Sequence, residues 1–317
     1  MSRRYLCGAL VGVLVTAVAL VAALSAGASR PGSLAHSSMK LAKPSAMRVF
    51  KGKSSKPARP RRTNNLSYRG GVGGIGVETA PKVYVVFWGS QWSSDPSGEK
   101  TIVQNFLNAV GGSPWLNSVT QYCQGVPVGT TNCGSSGQHA TNPNGILGGT
   151  WSDNGSAAPQ HPTQSQLANE AINAMAHFSP TPSHNTAQIV VATSHNNNMS
   201  GFGTQWCAWH SSTSSSYGNV AYTNLPYITD AGASCGANFV NPGPSGLTDG
   251  ITIVEGHELA ETITDQFPNG GWLDGSGEEN GDKCAWNPAT SNQNLGGGTF
   301  PVQPLWSNQS SGCVLSY

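Results

Sequence analysis

The residues best suited to chemistry lie in "GITIVEGHELAETITD", residues 250 to 265. Their core, His257-Glu258-Leu259-Ala260-Glu261, is the zinc-protease pattern H-E-x-x-H with glutamate in place of the second histidine. On a helix, His257 and Glu261 stand one turn apart and can point at the same ion. Glu258, the next residue round, is then placed to take a proton from an attacking water as general base. A carboxylate oxygen is an acceptable zinc ligand but makes the site harder. Zinc is therefore the expected ion, with calcium or another divalent cation as the alternative.

The same arc of the helix carries Glu255 and Asp265, while Leu259, Ile263, Gly256, Ala260 and Ile253 take the opposite side. A solvated helix face would interleave lysine or arginine at i,i+4 to relieve the repulsion, and none does so here. That shortage suggests a bound cation. A third ligand must come from elsewhere, and the nearest acids lie in "GWLDGSGEENGDKC", residues 271 to 284. Of Asp274, Glu278, Glu279 and Asp282 we favour Asp282, because Cys284 would staple its loop to the C-terminal tail. The loop lacks the glycine and the terminal glutamate of a calcium-binding EF-hand loop. Further site neighbours are Glu255, Asp265, Asp274, Glu279, His195 at the end of an apolar run, and His210 in "WCAWH". The bland alternative is a surface His-Glu pair and a histidine packed between tryptophans. There is no G-x-S-x-G, no P-loop and no dinucleotide fingerprint.

These residues need a scaffold. "PKVYVVFWG" reads as a buried strand, followed by a helix in "SGEKTIVQNFLNAV" with Asp95 as its N-cap and Pro96 at its first position. A second helix starts near Thr163 or Ser165, and "AQIVVATS" and "GNVAYTNL" read as strands. Between 195 and 244 the rest reads as polar loop. Thr248-Asp249 can cap the helix that carries the motif. The expected fold is α/β or α+β: a single layered domain with a mixed β-sheet, flanking helices, long polar loops and about three disulfides.

Residues 1 to 28 have the arginines, apolar run and small-residue cleavage site of a secretory signal peptide. Residues 29 to 69 carry many basic residues and no acidic one, which predicts a disordered pro-segment or linker. As a pro-segment it would cover an acidic cleft until cut, for instance near Arg61-Arg62. From 70 to 317, the expected globular domain, all fifteen Asp and Glu face only Lys82, Lys100 and Lys283. Such a surface excludes nucleic acid as a partner class. After signal cleavage no stable membrane span is expected. Cys123, Cys133, Cys207, Cys235, Cys284 and Cys313 remain, and an even count in an exported chain predicts disulfides. Sequential pairing closes the shortest loops.

Several pieces taken in order, "LSYRGG", "VYVVFWGSQW", "IVQNFLNAV", "CAWH", "LTDGITIVEGHELAETITD" and "PLWSNQSSGC", resemble the Exordium or phosphate-induced protein family of secreted plant proteins and its bacterial relatives. The resemblance implies an extracellular or cell-wall location and one disulfide-bearing domain. It also implies that bacterial relatives, not plant members, keep the His-Glu pair, and that this chain departs from them at Gln266, where they have proline. Two functions stand side by side. One is a secreted metal-dependent hydrolase, a monomeric peptidase acting on a peptide or cell-wall polymer. The other is a non-enzymatic wall-associated protein that binds glycan through its tryptophans or signals, with a structural metal.

Overall fold

A computed structural model describes residues 40–52, 65–179 and 186–317; the signal segment, most of the basic stretch and residues 180–185 lie outside them. The centre is a six-stranded mixed sheet. Its strands are β1 (Ser45–Arg48), β2 (Lys82–Trp88), β3 (Leu147–Asp153), β4 (Ala187–Thr193), β5 (Trp206–Ser215) and β6 (Gly218–Leu225), in the order β1-β5-β6-β4-β2-β3. β2, β3, β4 and β6 run parallel to one another, whereas β5 is antiparallel to both β6 and β1. Helices α1 (Glu99–Val110) and α2 (Gln164–Phe178) connect the parallel strands, as such crossovers require. The expected mixed sheet with flanking helices is the architecture observed.

Strand alternation sorts side chains onto two faces. Tyr84, Val86, Ile189, Val191 and Tyr222 pack under α2, with Leu167, Ala171 and Met175 from the helix. Val83, Val85, Phe87, Val190 and Leu225 pack under α1 and under α3 (Asp249–Thr264). On that second face one cross-strand row runs Val85, Val190, Thr223, His210 and Ser45, so it becomes polar toward β1.

Local signals explain the helix ends. Thr163 caps α2 in a capping box with Gln166. α1 begins at Glu99 instead of just after Pro96, because Gly98 takes a left-handed conformation before it. Asp95 still caps it from upstream, its carboxylate accepting the Glu99 and Lys100 N–H groups. At α3, Thr248 makes no side-chain cap bond. Asp249 instead accepts from the N–H groups of Val240 and Asn241 and so pins the preceding turn.

Two expectations change. Residues 40–52, inside the stretch whose composition predicts disorder, are ordered: Ser45–Arg48 form the edge strand β1, and Met47 is fully buried. The apolar Met47 and Val49 outweigh the basic residues around them once β5 offers a backbone edge. β5 itself, read as polar loop, is a ten-residue strand in which Ser211, Ser212 and Thr213 are buried. Disulfides join Cys123 to Cys133, Cys207 to Cys235 and Cys284 to Cys313. No helix among the described residues is long and apolar enough to cross a membrane.

Every residue of α3 is buried. Its apolar side lies so close to α1 and the following turn that a Cβ on Gly256 would come 3.0 Å from Trp115 and 3.2 Å from Phe106. Valine at 256 should therefore lower stability by about 1–3 kcal/mol through overpacking, read as a lower denaturant midpoint with an unchanged slope.

Candidate functional site

The acidic side of α3 faces the polar end of the sheet and the loop at 279–282. His257 Nε2 lies 3.0 Å from Glu261 Oε1 and 3.8 Å from Asp282 Oδ1. The other oxygen of Glu261 lies 3.7 Å from His210 Nε2, which is 3.1 Å from Glu279 Oε2. Two groups, His257-Glu261-Asp282 and His210-Glu261-Glu279, thus each bring their ligand atoms within 4.8 Å of one another and share Glu261. Glu258 is fully buried beside them; its Oε1 accepts the Met47 N–H at 3.4 Å, and its Oε2 has no hydrogen-bond partner.

The tautomer of His257 follows from its supports. The side-chain amide nitrogen of Gln303 donates to the carbonyls of Gly281 (2.8 Å) and Pro304 (3.4 Å), so Gln303 Oε1 is left as an acceptor. His257 Nδ1, 3.3 Å away, must be the donor. Burial, which outweighs the Gln303 bond, pushes the His257 pKa down to about 4, so the ring is neutral at neutral pH. Its Nε2 therefore presents a lone pair to the carboxylate oxygen of Glu261. Two acceptors at ion-pair distance, with the Asp282 N–H donating to that same oxygen at 2.8 Å, are the arrangement a cation relieves.

Electrostatics across the group agree. Burial, reinforced by the neighbouring carboxylates, raises Glu258 and Glu261 well above the usual carboxylate range and Asp282 to about 7. Burial alone would lower His210, but Glu279 beside it, with Glu258 and Asp265, lifts it to about 9. Burial is likewise overridden at Glu279, which His210 and the Ser45 hydroxyl bond hold below its ordinary value.

Three neutral positions that carry no charge signal in the sequence complete the site. A Cβ on Gly281 would lie 2.9 Å from both Glu261 Oε1 and His257 Nδ1, so only glycine lets the loop come this close. Gln303 fixes the His257 ring, and the Trp115 indole donates to the Gln303 carbonyl at 2.7 Å. Ser45 on β1 reaches Glu279. The disulfide from Cys284 to Cys313 anchors the end of the same loop.

Other sequence candidates are used elsewhere. Asp274 pairs with Lys283 at 3.0 Å and accepts from two N–H groups of its own turn. Asp265 accepts from the N–H groups of Asn269, Gly270 and Gly271 at the end of α3, while burial and then Glu279 push its pKa up to about 8. His195 is held by Asp230. Glu255 is buried with neither oxygen hydrogen-bonded, and burial raises it to about 8. Among the tryptophans, Trp115 and Trp272 are fully enclosed and Trp92, Trp209 and Trp306 nearly so.

Beside the centre a cleft of about 740 Å³ opens between β1 and the loops at 265–285, with Ser45, Arg48, Trp206 and Asp282 in its walls. The Asp282 side chain is 20% exposed there, whereas the histidines are fully enclosed.

No family model and no solved structure matches the chain. Protein EXORDIUM-like 5 of Arabidopsis thaliana is 27% identical over 247 residues, which cover 70% of this chain and 65% of that protein. The chain thus spans somewhat less than two thirds of that relative's length. The three disulfides and this similarity point to an extracellular protein, and the similarity supports a relationship to the Exordium family.

Proposed function

We propose that this chain is a secreted metal-dependent hydrolase, acting as a monomer on peptide bonds. His257, Glu261 and Asp282 would hold a divalent cation, zinc first among them, and Glu258 is the general base. The observation that carries the reading is the meeting of the His257 lone pair with Glu261 and Asp282 in a buried group of ligand-compatible atoms. The donor set, one imidazole nitrogen and two carboxylate oxygens, fits such an ion. When bound, the cation would polarise the scissile carbonyl and lower the cost of deprotonating the attacking water.

The chain's own residues supply the rest. Glu258 has one oxygen held by Met47 N–H and the other without a partner, so a proton from water can be taken there and passed to the leaving amine. Gln303 keeps the His257 lone pair turned inward. The enclosure formed by α3, β5 and the 279–282 loop excludes bulk water. A peptide substrate is supported by β1, which lies antiparallel on β5 with its backbone N–H on Glu258. An extended peptide backbone therefore fits against the base in that pose. Residues 40–50 then act as a removable cover, consistent with the pro-segment reading.

The similarity to an Exordium-like protein leaves a second reading standing: a non-enzymatic, wall-associated glycan-binding or signalling protein whose metal site is structural. The burial of most tryptophans counts against a glycan groove built from them.

The purified secreted chain should contain stoichiometric divalent metal by elemental analysis and lose it in His257→Ala. Glu258→Gln should keep the metal while lowering peptide hydrolysis by at least about a hundredfold. A chain that is metal-free and indifferent to chelators refutes the hydrolase. Cutting the chain between Gly52 and Asn65 should raise activity on a peptide substrate, and a synthetic peptide of residues 40–52 should restore inhibition; equal rates before and after cutting would show that β1 is a fixed part of the fold.

A further inference from the structure

We infer that the centre holds two divalent cations, not one, with Glu261 bridging them. The second position is formed by His210, Glu279 and the other oxygen of Glu261. The inference rests on the metal-dependent reading above and deepens it.

Glu261 makes two separate sets of contacts. One oxygen meets His257 at 3.0 Å, on the side of Asp282. The second lies 3.7 Å from His210, which is itself 3.1 Å from Glu279. A carboxylate serving one ion leaves its second oxygen for a hydrogen-bond donor or for solvent. Here that oxygen is buried and has no hydrogen-bond partner. Glu279 has the same feature: Ser45 donates to one of its oxygens, while the other is buried with no partner. Each cluster offers one imidazole nitrogen and two carboxylate oxygens, the same donor set twice.

Charge points the same way. Glu258, Glu261, Glu279 and Asp282 crowd one enclosure, and among the described residues the lysine of that loop, Lys283, is already paired with Asp274. One divalent ion answers two of these four charges and leaves the others to protons or to the His210 ring. Two divalent ions balance four carboxylates with both histidines neutral. Two-metal hydrolytic sites in general space their ions by about 3.5–4 Å, a span one bridging carboxylate accommodates. The fitting ligands are borderline to hard cations such as zinc or manganese. In hydrolysis the first ion would serve the attacking water beside Glu258, and the second would hold the substrate carbonyl.

His210 comes from β5, the strand on which β1 lies, and Ser45 of β1 donates to Glu279. The N-terminal strand thus touches the second position through Ser45 as well as Glu258 through Met47.

The test is metal stoichiometry of the unaltered secreted chain, dialysed, reloaded with zinc and measured by mass spectrometry, with stepwise binding followed by calorimetry. Two equivalents per chain are expected. His210→Ala and Glu279→Gln should each bind one while retaining the wild-type circular dichroism spectrum, and Glu261→Gln should lose both. Manganese loading should give an exchange-coupled resonance signal in the wild type and an isolated-ion signal in Glu279→Gln. One equivalent in the wild type overturns the bridged pair and leaves the hydrolase reading standing. No bound metal overturns both.

Discussion

The rest of the structure depends on carboxylates buried without lysine or arginine to answer them. Glu258 and Glu261 on α3 and Glu279 on the adjoining loop are fully enclosed, and Asp282 is half-buried beside them. An uncompensated buried charge costs several kcal/mol even after relaxation, and a domain's whole stability is about 5–15 kcal/mol. The fold cannot carry several such charges unpaired. Protons, histidines or cations must answer them, and the surrounding elements set two histidines among the carboxylates. Gly281 admits the loop, Gln303 sets the ring of His257, and the Cys284–Cys313 disulfide holds the loop's far end.

The sheet is adapted to the same constraint. Its row beneath α3 is apolar at Val85 and Val190, and it turns polar at Thr223, His210 and Ser45 as it nears the acidic arc. β5 is the hinge between the two roles. One face sends Trp209 into the core under α2, and the other sends His210 into the acidic group. β1 closes that edge. Its pairing with β5 is reinforced farther out, where Ala42 N–H donates to Ser212, Phe50 N–H donates to Ser234, and Phe50 packs against Phe239 and Trp286. Contacts with Glu258 and with the sheet edge together make residues 40–50 both a structural strand and a cover over the acidic group.

Much of this was legible in the sequence, for identifiable reasons. The 3.6-residue period placed His257, Glu258 and Glu261 on one arc, and the apolar runs marked β2, β4 and β6. The helix is not amphipathic toward solvent, however; all of it is buried, so its acidic arc is a second interior face. Acidic type alone could not separate Asp274, which neutralises Lys283, from Glu279 and Asp282 one turn further on. Gly281, Gln303 and Ser45 escaped notice because a neutral residue has no charge pattern. β1 was masked by the basic composition around four residues, and β5 by its serines, which read as loop until the sheet buries them. His210 was weighed as a site neighbour against packing between tryptophans, and strand alternation sends it to the opposite face from Trp209.

Buried acids elsewhere in the chain serve as an internal control. Glu99 accepts the Ile228 N–H, and Glu78 accepts the side-chain amide of Gln188. Glu255 has no hydrogen bond at all. In all three, burial raises the pKa, and among the described residues none forms an ion pair with a histidine. A proton on each is sufficient to make it tolerable. The central group differs in kind. Unpartnered buried oxygens are common to all of these acids, but only Glu261 and Glu279 stand at ion-pair distance from histidines, with Glu258 beside them. The chain therefore handles isolated buried carboxylates one by one and gathers only these around imidazole donors. That difference, more than the motif itself, is what supports the proposed metal centre over an acidic helix that happens to be buried.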